Sequence, residues 1–490
     1  MKQLAGAVLL AVIVIVAVLV VNTGRVTSRQ VDPVPAPTLA LDETAATTHL
    51  AGAIRFRTVT SDGEARVAPD TWPTFHAYLA GIYPLMEKNL QREAVANDSL
   101  LYTWTGRRPE LPPVILTGHM DVVPAADDTL AQWTHPPFAG VVTDDAIWGS
   151  GSLDDKNAVI GVLEAVEALL AGGFTPERTI YLAFGHDEEA GAGSTGATAI
   201  AALLKSRGVH NAVVLDEGGW IFDKIPGVSQ RVALIGLAEK GFFSAELTVT
   251  TKGGHSSMPP RETAIGILSR AVERAESHPM PPRLDGAGAL LFDTLAPEMS
   301  YGMRLVFANR WLTNPLLLRQ LASQPTTDAT IRTTTATTMM RAGAKENVLA
   351  SSASAVMNFR LMPGDTADTV MAHLTEVIDD PRVTIAPYRG NRGDDASPVS
   401  NAEGPQFTAL SRAIRSVFPS ALVAPYLTLG ATDARHYTGV ATHIYRFVPV
   451  DQPGGTDLLH APNEHILRGA YLNEIRAFAA IITELSKQAP

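Results

Sequence analysis

Three short aliphatic runs in this chain each end in residues that bind metals or move protons. Thr179-Ile180-Tyr181-Leu182-Ala183-Phe184 leads into Gly185-His186-Asp187-Glu188-Glu189. Val114-Ile115-Leu116-Thr117 leads into Gly118-His119-Met120-Asp121, and Ala212-Val213-Val214-Leu215 into Asp216-Glu217-Gly218-Gly219. Adjacent glutamates at the end of an apolar strand repel each other and lose hydration unless a cation or a proton holds them. One isolated Glu-Glu pair is most often a solvated turn. Three strands delivering His, Glu and Asp to one rim are better explained by a cation site, because open α/β sheets bind ligands in the crevice beyond the carboxyl ends of their strands. The chain has no cysteine. Disulfides and thiolate metal sites are thereby excluded, and a metal must be held by His and carboxylate.

A fourth acidic stretch, Gly151-Ser152-Leu153-Asp154-Asp155-Lys156, opens a helix whose apolar residues Val159, Val162, Leu163, Val166, Leu169 and Leu170 recur at helical spacing. The two aspartates have a plain role as helix caps. The preceding glycines let the backbone approach a site closely, and that assigns Asp154 to the cluster.

These residues need a large scaffold, and 490 residues supply one. With 39 Lys plus Arg against 50 Asp plus Glu, the formal charge is −11, which argues against nucleic acid as the main partner. Leu4 to Val21 is an unbroken apolar run long enough for one membrane-spanning helix. No small-x-small cleavage pattern follows it, so an uncleaved signal-anchor with the body outside the cytoplasm (periplasmic or lumenal) is the expectation; secretion after signal cleavage is the alternative. Asn22 to about Leu41, with Pro33, Pro35 and Pro37, reads as a stiff, extended tether.

Helices are expected around Ala45–Phe56, Trp72–Lys88 and Ala190–Leu204, and a last one at Leu467–Leu485. Between residues 240 and 388 the pattern changes. A strand at Gly241–Thr251, a helix at Glu262–Glu276, a β segment at Thr333–Thr338, a strand at Ala353–Leu361, a helix at Thr366–Ile378 and a strand at Val383–Tyr388 follow the β-α-β-β-α-β order of a two-layer α/β insert. Pro279–Thr326 is a longer insertion within it, rich in Leu, Phe, Met and Trp311; core packing, an acyl groove and a dimer face all remain open for it. The expected division is 1–21 anchor or signal segment, 22–44 linker, 45–239 and 389–490 two parts of a catalytic domain, and 240–388 a lid and dimerisation domain. No internal repeat is found.

Gly118-His119-Met120-Asp121-Val122-Val123-Pro124, Gly151 to Lys156, Gly185 to Glu189, Leu215 to Gly219 and the late His460 together resemble the di-zinc amidohydrolase family of aminoacylases, carboxypeptidase S and glutamate carboxypeptidase. Trp133…His135-Pro136-Pro137-Phe138, Arg332-Thr333-Thr334-Thr335-Ala336, Lys345…Asn347-Val348 and Asn358-Phe359-Arg360 point to its carboxypeptidase S and N-fatty-acyl-amino-acid hydrolase/synthase branch. The likeness runs from about residue 45 to 490. It implies an α/β fold: a phosphorylase/hydrolase-like zinc-peptidase domain with a mixed sheet, plus an inserted ferredoxin-like lid. It also implies two Zn²⁺ per chain bridged by Asp154, one also taking His119 and Asp216 and the other Glu189 and His460.

By the same resemblance Glu188 is the general base for a water shared by the two ions, and Asp121 orients His119. His255 corresponds to the lid histidine that stabilises the oxyanion, often across a homodimer. Arg360 corresponds to the grip on a substrate carboxylate, and Asn347 and Gly430 to substrate contacts. His135, His186, Asp187 and Glu217 are left as supporting or structural. Two departures stand out: Ser150 where the family usually has arginine, and Ala350-Ser351 where proline is common. The implied activity is zinc-dependent cleavage of the amide of an N-acyl amino acid, or of a dipeptide with a free carboxylate. The alternative is a catalytically silent, membrane-tethered receptor or scaffold with the same fold.

Overall fold

The computed structural model describes residues 2–60, 68, 70–223 and 225–487. Its centre is a nine-stranded mixed sheet. Along it run Gln91–Val95, Ser99–Trp104, Ile180–Gly185, Val114–His119, Ala212–Asp216, Ala441–Arg446, Val232–Glu239 and Leu422–Thr428, with Ile221–Phe222 paired to Val232–Glu239. The three ligand-bearing strands anticipated from sequence are adjacent and parallel, so their carboxyl ends open on one rim.

One face of this sheet carries the helices Lys156–Ala171, Pro405–Val417 and Arg468–Ser486, which share the largest apolar core. Gly196–Ser206 covers the other face with Ala434 and Tyr437. Helix Lys156–Ala171 is buried almost all round, not on a single stripe, because it lies between the sheet and other helices. Its buried Glu164 is held by His49 Nδ1 at 2.6 Å and the Tyr83 hydroxyl at 2.9 Å.

The helix expected over Trp72–Lys88 is two: Thr71–Ile82 and Pro84–Asn89. Proline lacks the N–H that would continue the first helix and suits the first turn of a new one. The stretch after Glu189 also divides, into a 3₁₀ turn at Glu188–Gly193 and the helix Gly196–Ser206. Gly191, at φ +57°, kinks the 3₁₀ turn itself, and Ser194 and Thr195 separate that turn from the helix.

A second, four-stranded antiparallel sheet has the order Thr334–Ala342, Ser352–Leu361, Gly241–Thr250, Val383–Pro387. Helices Ala264–Ser277 and Ala367–Ile378 pack on one side of it, around a core of their own. The insertion after residue 279 forms the helices Gly286–Leu295, Tyr301–Ala308, Arg310–Leu321 and Pro325–Ile331. It packs not on that core but on Val232, Leu234, Leu422 and Ala424, at the far edge of the large sheet.

Lys2–Arg25 is one continuous helix, long and apolar enough to cross a membrane. The segment after it is extended, as expected, but it is not a free tether. The Gln30 side chain donates to Val423 O at 3.0 Å and accepts from Val423 N at 2.8 Å, as a strand neighbour would, and Arg415 binds Val31 O.

Candidate active site

His119 is the last residue of its strand, and the neighbouring strand places Gly185 directly beside it. Its Nδ1 lies 3.1 Å from Asp121 O, which fixes the ring with Nε2 turned to the cluster. The Asp121 carboxylate in turn accepts the backbone N–H of Glu188 and that of Glu189, each at 3.1 Å, and the Thr60 hydroxyl. One carboxylate thus ties the ends of two strands together. Gly118 makes the approach possible: a Cβ there would lie 2.5 Å from Asp155 Oδ2.

Asp154 stands between two imidazoles. Its Oδ1 is 3.0 Å from His119 Nε2, and its Oδ2 is 3.0 Å from His460 Nε2. His460 Nε2 is also 3.0 Å from Glu189 Oε1. The loop carrying Asp154 is held by Glu464, whose Oε1 accepts Leu153 N at 2.8 Å and whose carbonyl accepts Gly149 N at 3.0 Å. Three sets of donors converge within 4.8 Å: His119, Asp154 and Glu217; His119, Glu188 and Glu189; and Asp154, Glu189 and His460.

Of the residues anticipated from sequence as ligands, base and support, His119, Asp121, Asp154, Glu188, Glu189 and His460 are therefore brought together. Asp216 falls in none of these donor sets. As the last residue of its strand it shares a face with Ala212 and Val214, and both its oxygens are buried without a hydrogen-bond partner among the described residues. Glu217, one residue beyond the strand and so free of its alternation, has Oε1 3.7 Å from His119 Nε2. Glu464 was also missed, because nothing local separates it from a surface acid.

None of the expected substrate residues falls in these donor sets. His255 is exposed and bonds only locally, its Nδ1 2.8 Å from Ser257 Oγ; its short strand pairs with Val348–Leu349, and Asn347 O accepts Ser256 N at 3.2 Å. Arg360 stacks over Phe242 at 5.3 Å and makes no ion pair among the described residues. Burial, and then the neighbouring Arg435, lower its pKa. A Cβ at Gly430 would meet nothing within 4 Å.

The electrostatics suit a cation. Burial, reinforced by Asp433, Glu189 and Asp154 against the opposing pull of His119, pushes Glu188 up to about 9. Burial and the Asp154 and Asp155 charges push Glu217 well above the ordinary range. Hydrogen bonds to Asp154 and Glu189 raise His460 to about 10. Burial disfavours the His119 imidazolium, yet Asp121 and Asp154 outweigh it and hold its pKa well above ordinary. The donor set is imidazole and carboxylate, as zinc accepts. Two donors of a tetrahedral shell with bonds of about 2.0 Å sit about 3.3 Å apart, close to the spacings found. The residues fit a metal.

Fold and rim define a metal-dependent hydrolase of the α/β class. Residues 115–484 match Peptidase family M20/M25/M40, and the chain belongs to that family. It is 39% identical over 487 residues to "Probable carboxypeptidase S-like 2" of Dictyostelium discoideum, covering 96% of this chain and 92% of the relative. It is 39% identical over 442 residues to human "N-fatty-acyl-amino acid synthase/hydrolase PM20D1", covering 88% and 86%. The M20 family metallo-carboxypeptidase Sso-CP2 from Sulfolobus solfataricus shares the fold with a TM-score of 0.62, 16% identity and coverage of 90% and 99%.

Proposed function

We propose that the protein hydrolyses the amide bond of N-acyl amino acids, or of dipeptides with a free C-terminal carboxylate. The observation that carries this reading is the Asp154 carboxylate, one oxygen at 3.0 Å from His119 and the other at 3.0 Å from His460. A carboxylate so placed would serve as a ligand shared by two ions. His119 and Glu217 would complete one side, Glu189 and His460 the other. Zinc ions held there would acidify a water and polarise the substrate carbonyl.

The chain's own residues do the rest. Glu188 takes the proton from the attacking water and passes it to the leaving nitrogen, the general-base role that a carboxylate beside the metal ligands serves. Asp121 keeps His119 in the correct tautomer and positions the Glu188 backbone. His255 donates to the carbonyl oxygen once substrate is bound. Arg360 grips the substrate carboxylate, a task matched to its forked guanidinium, with Asn347 and Gly430 as further contacts. The 240–388 segment acts as a lid, and its exposed strand pair, Gly254–His255 with Val348–Leu349, also offers a contact to a second copy.

The helix Lys2–Arg25 is read as a single membrane span holding the body outside the cytoplasm; the N-terminal sequence of the mature protein distinguishes it from a cleaved signal. The named relatives are enzymes, and nothing in them favours a silent receptor. The test of substrate class is kcat/KM for N-oleoyl-phenylalanine against an unmodified dipeptide. Turnover of neither, with metal bound, would overturn the proposal.

A further inference from the structure

We infer that the helical insertion is a second membrane-contacting surface, the outward face of the helix Arg310–Leu321 lying in the boundary layer of the bilayer that the N-terminal helix enters. The inference rests on reading Lys2–Arg25 as a membrane span.

The first observation is a misplaced apolar face. Leu317 and Leu321 turn inward, onto the edge of the large sheet. On the opposite side Trp311, Leu312 and Leu316 are 60%, 47% and 70% exposed, and Tyr301 on the preceding helix is 57% exposed. A helix lying on a water-facing surface presents polar residues outward. An apolar stripe that is also aromatic marks a contact surface.

The second observation says what covers it. Among the described residues of the N-terminal helix, the end touches the body, through Leu19, Asn22 and Thr23 at the i, i+3, i+4 spacing of one helix face, with Val26 just beyond it. Residues 3–18 are exposed throughout. The contact is built around the buried Asn309, which joins Tyr301–Ala308 to Arg310–Leu321. Its Nδ2 donates to Leu19 O at 3.1 Å, and its Oδ1 accepts from Asn22 Nδ2 at 3.0 Å. The same Oδ1 accepts the Trp311 indole N–H at 3.3 Å. Trp311 is therefore one side chain away from Leu19–Asn22, which sets its depth.

A 24-residue helix is about 36 Å long, against a hydrocarbon core of about 30 Å. Its last turns, Leu19 to Arg25, then reach the headgroup boundary, where Trp, Tyr and Arg collect. Trp311 and Tyr301 are of the right type, and the exposed Arg319 closes the stripe with a charge that can reach headgroups. A second copy of the chain would also cover an apolar stripe, but it would not explain why the stripe is bonded to the point where the apolar helix leaves the body. Two contacts would fix the orientation of the catalytic body on the membrane.

The absence of native cysteine allows a direct test. Leu316→Cys, Val12→Cys and Glu110→Cys, each in the full chain, are spin-labelled and placed in nanodiscs of phosphatidylethanolamine and phosphatidylglycerol. Retained amide hydrolysis confirms folding. Collision of the label with oxygen is then compared with collision with a water-soluble nickel chelate. The expected result is an oxygen-to-nickel ratio several-fold higher at Val12 and Leu316 than at the exposed Glu110. A Leu316 ratio equal to that of Glu110, with Val12 in lipid, overturns the inference and leaves the anchor standing. Spin–spin broadening at Leu316 without oxygen preference also overturns it, in favour of a second copy. A water-exposed Val12 label removes the anchor reading and the inference with it.

Discussion

The rim of the large sheet and the short strand pair formed by Gly254–His255 and Val348–Leu349 hold their polar side chains in opposite ways. At the rim His119 and Asp121 are buried, and the Asp121 carboxylate accepts the backbone N–H groups of the loop that carries Glu188 and Glu189. At the strand pair His255 and Asn347 are exposed, and His255 bonds to a serine two residues away. The rim is a preorganised network in which one substitution disturbs several groups. The strand pair is a set of local contacts that substitutions alter one at a time. In the proposed mechanism the first does the chemistry and the second meets the substrate.

The contrast breaks most easily at Glu188. Glu188→Gln should lower kcat by about 10²–10⁴-fold while bound metal stays unchanged; metal content and single-turnover rates on one preparation check both halves. Asp121→Asn should cost about 10–100-fold in metal affinity or activity, because it supports His119 and the Glu188 backbone at once. His255→Ala, measured alongside, should change stability by no more than about 0.5 kcal/mol while lowering kcat. If the two substitutions destabilised the fold equally, the distinction between network and local contact would be gone. Arg360→Lys should raise KM for a carboxylate-bearing substrate, with loss of about 1.5–3 kcal/mol in kcat/KM from the broken bidentate grip.

A further effect is on stability against pH. Glu188 has a folded pKa of about 9 against an ordinary 4.5, so the unfolded chain releases that proton first and stability falls as pH rises between those values. His460, raised to about 10, adds stability that is full below its ordinary 6.5 and is lost as pH passes about 10. Both act in one direction. Chelator-treated protein should therefore melt at lower temperature at pH 8 than at pH 5, and added zinc should stabilise it more at pH 8, where its ligands lose protons more readily. Melting curves at the two values, with and without zinc, read this out.

The parallel strands, the helix after Asp155 and the second sheet were legible because periodicity and turn residues act locally. His119 and Glu189 were legible as candidates because strand ends in a parallel sheet converge, and Asp154 because glycines precede it in the loop before its helix. Glu217 was left as supporting, and its approach to His119 was hidden because it lies one residue beyond the strand, outside the alternation that periodicity reads. Glu464 and the docking of Gln30 on Val423 were hidden for another reason: their partners are hundreds of residues away in sequence. The insertion after Pro279 carried apolar residues whose destinations, core or outside, are set by the edge of the large sheet and not by their spacing.

The central claim is that Asp154 is shared by two ions between His119 and His460. Elemental analysis of the purified, active protein tests it most directly. About two equivalents of transition metal per chain are expected, with activity lost on chelation and restored on re-addition. Full turnover by protein free of transition metal would contradict it.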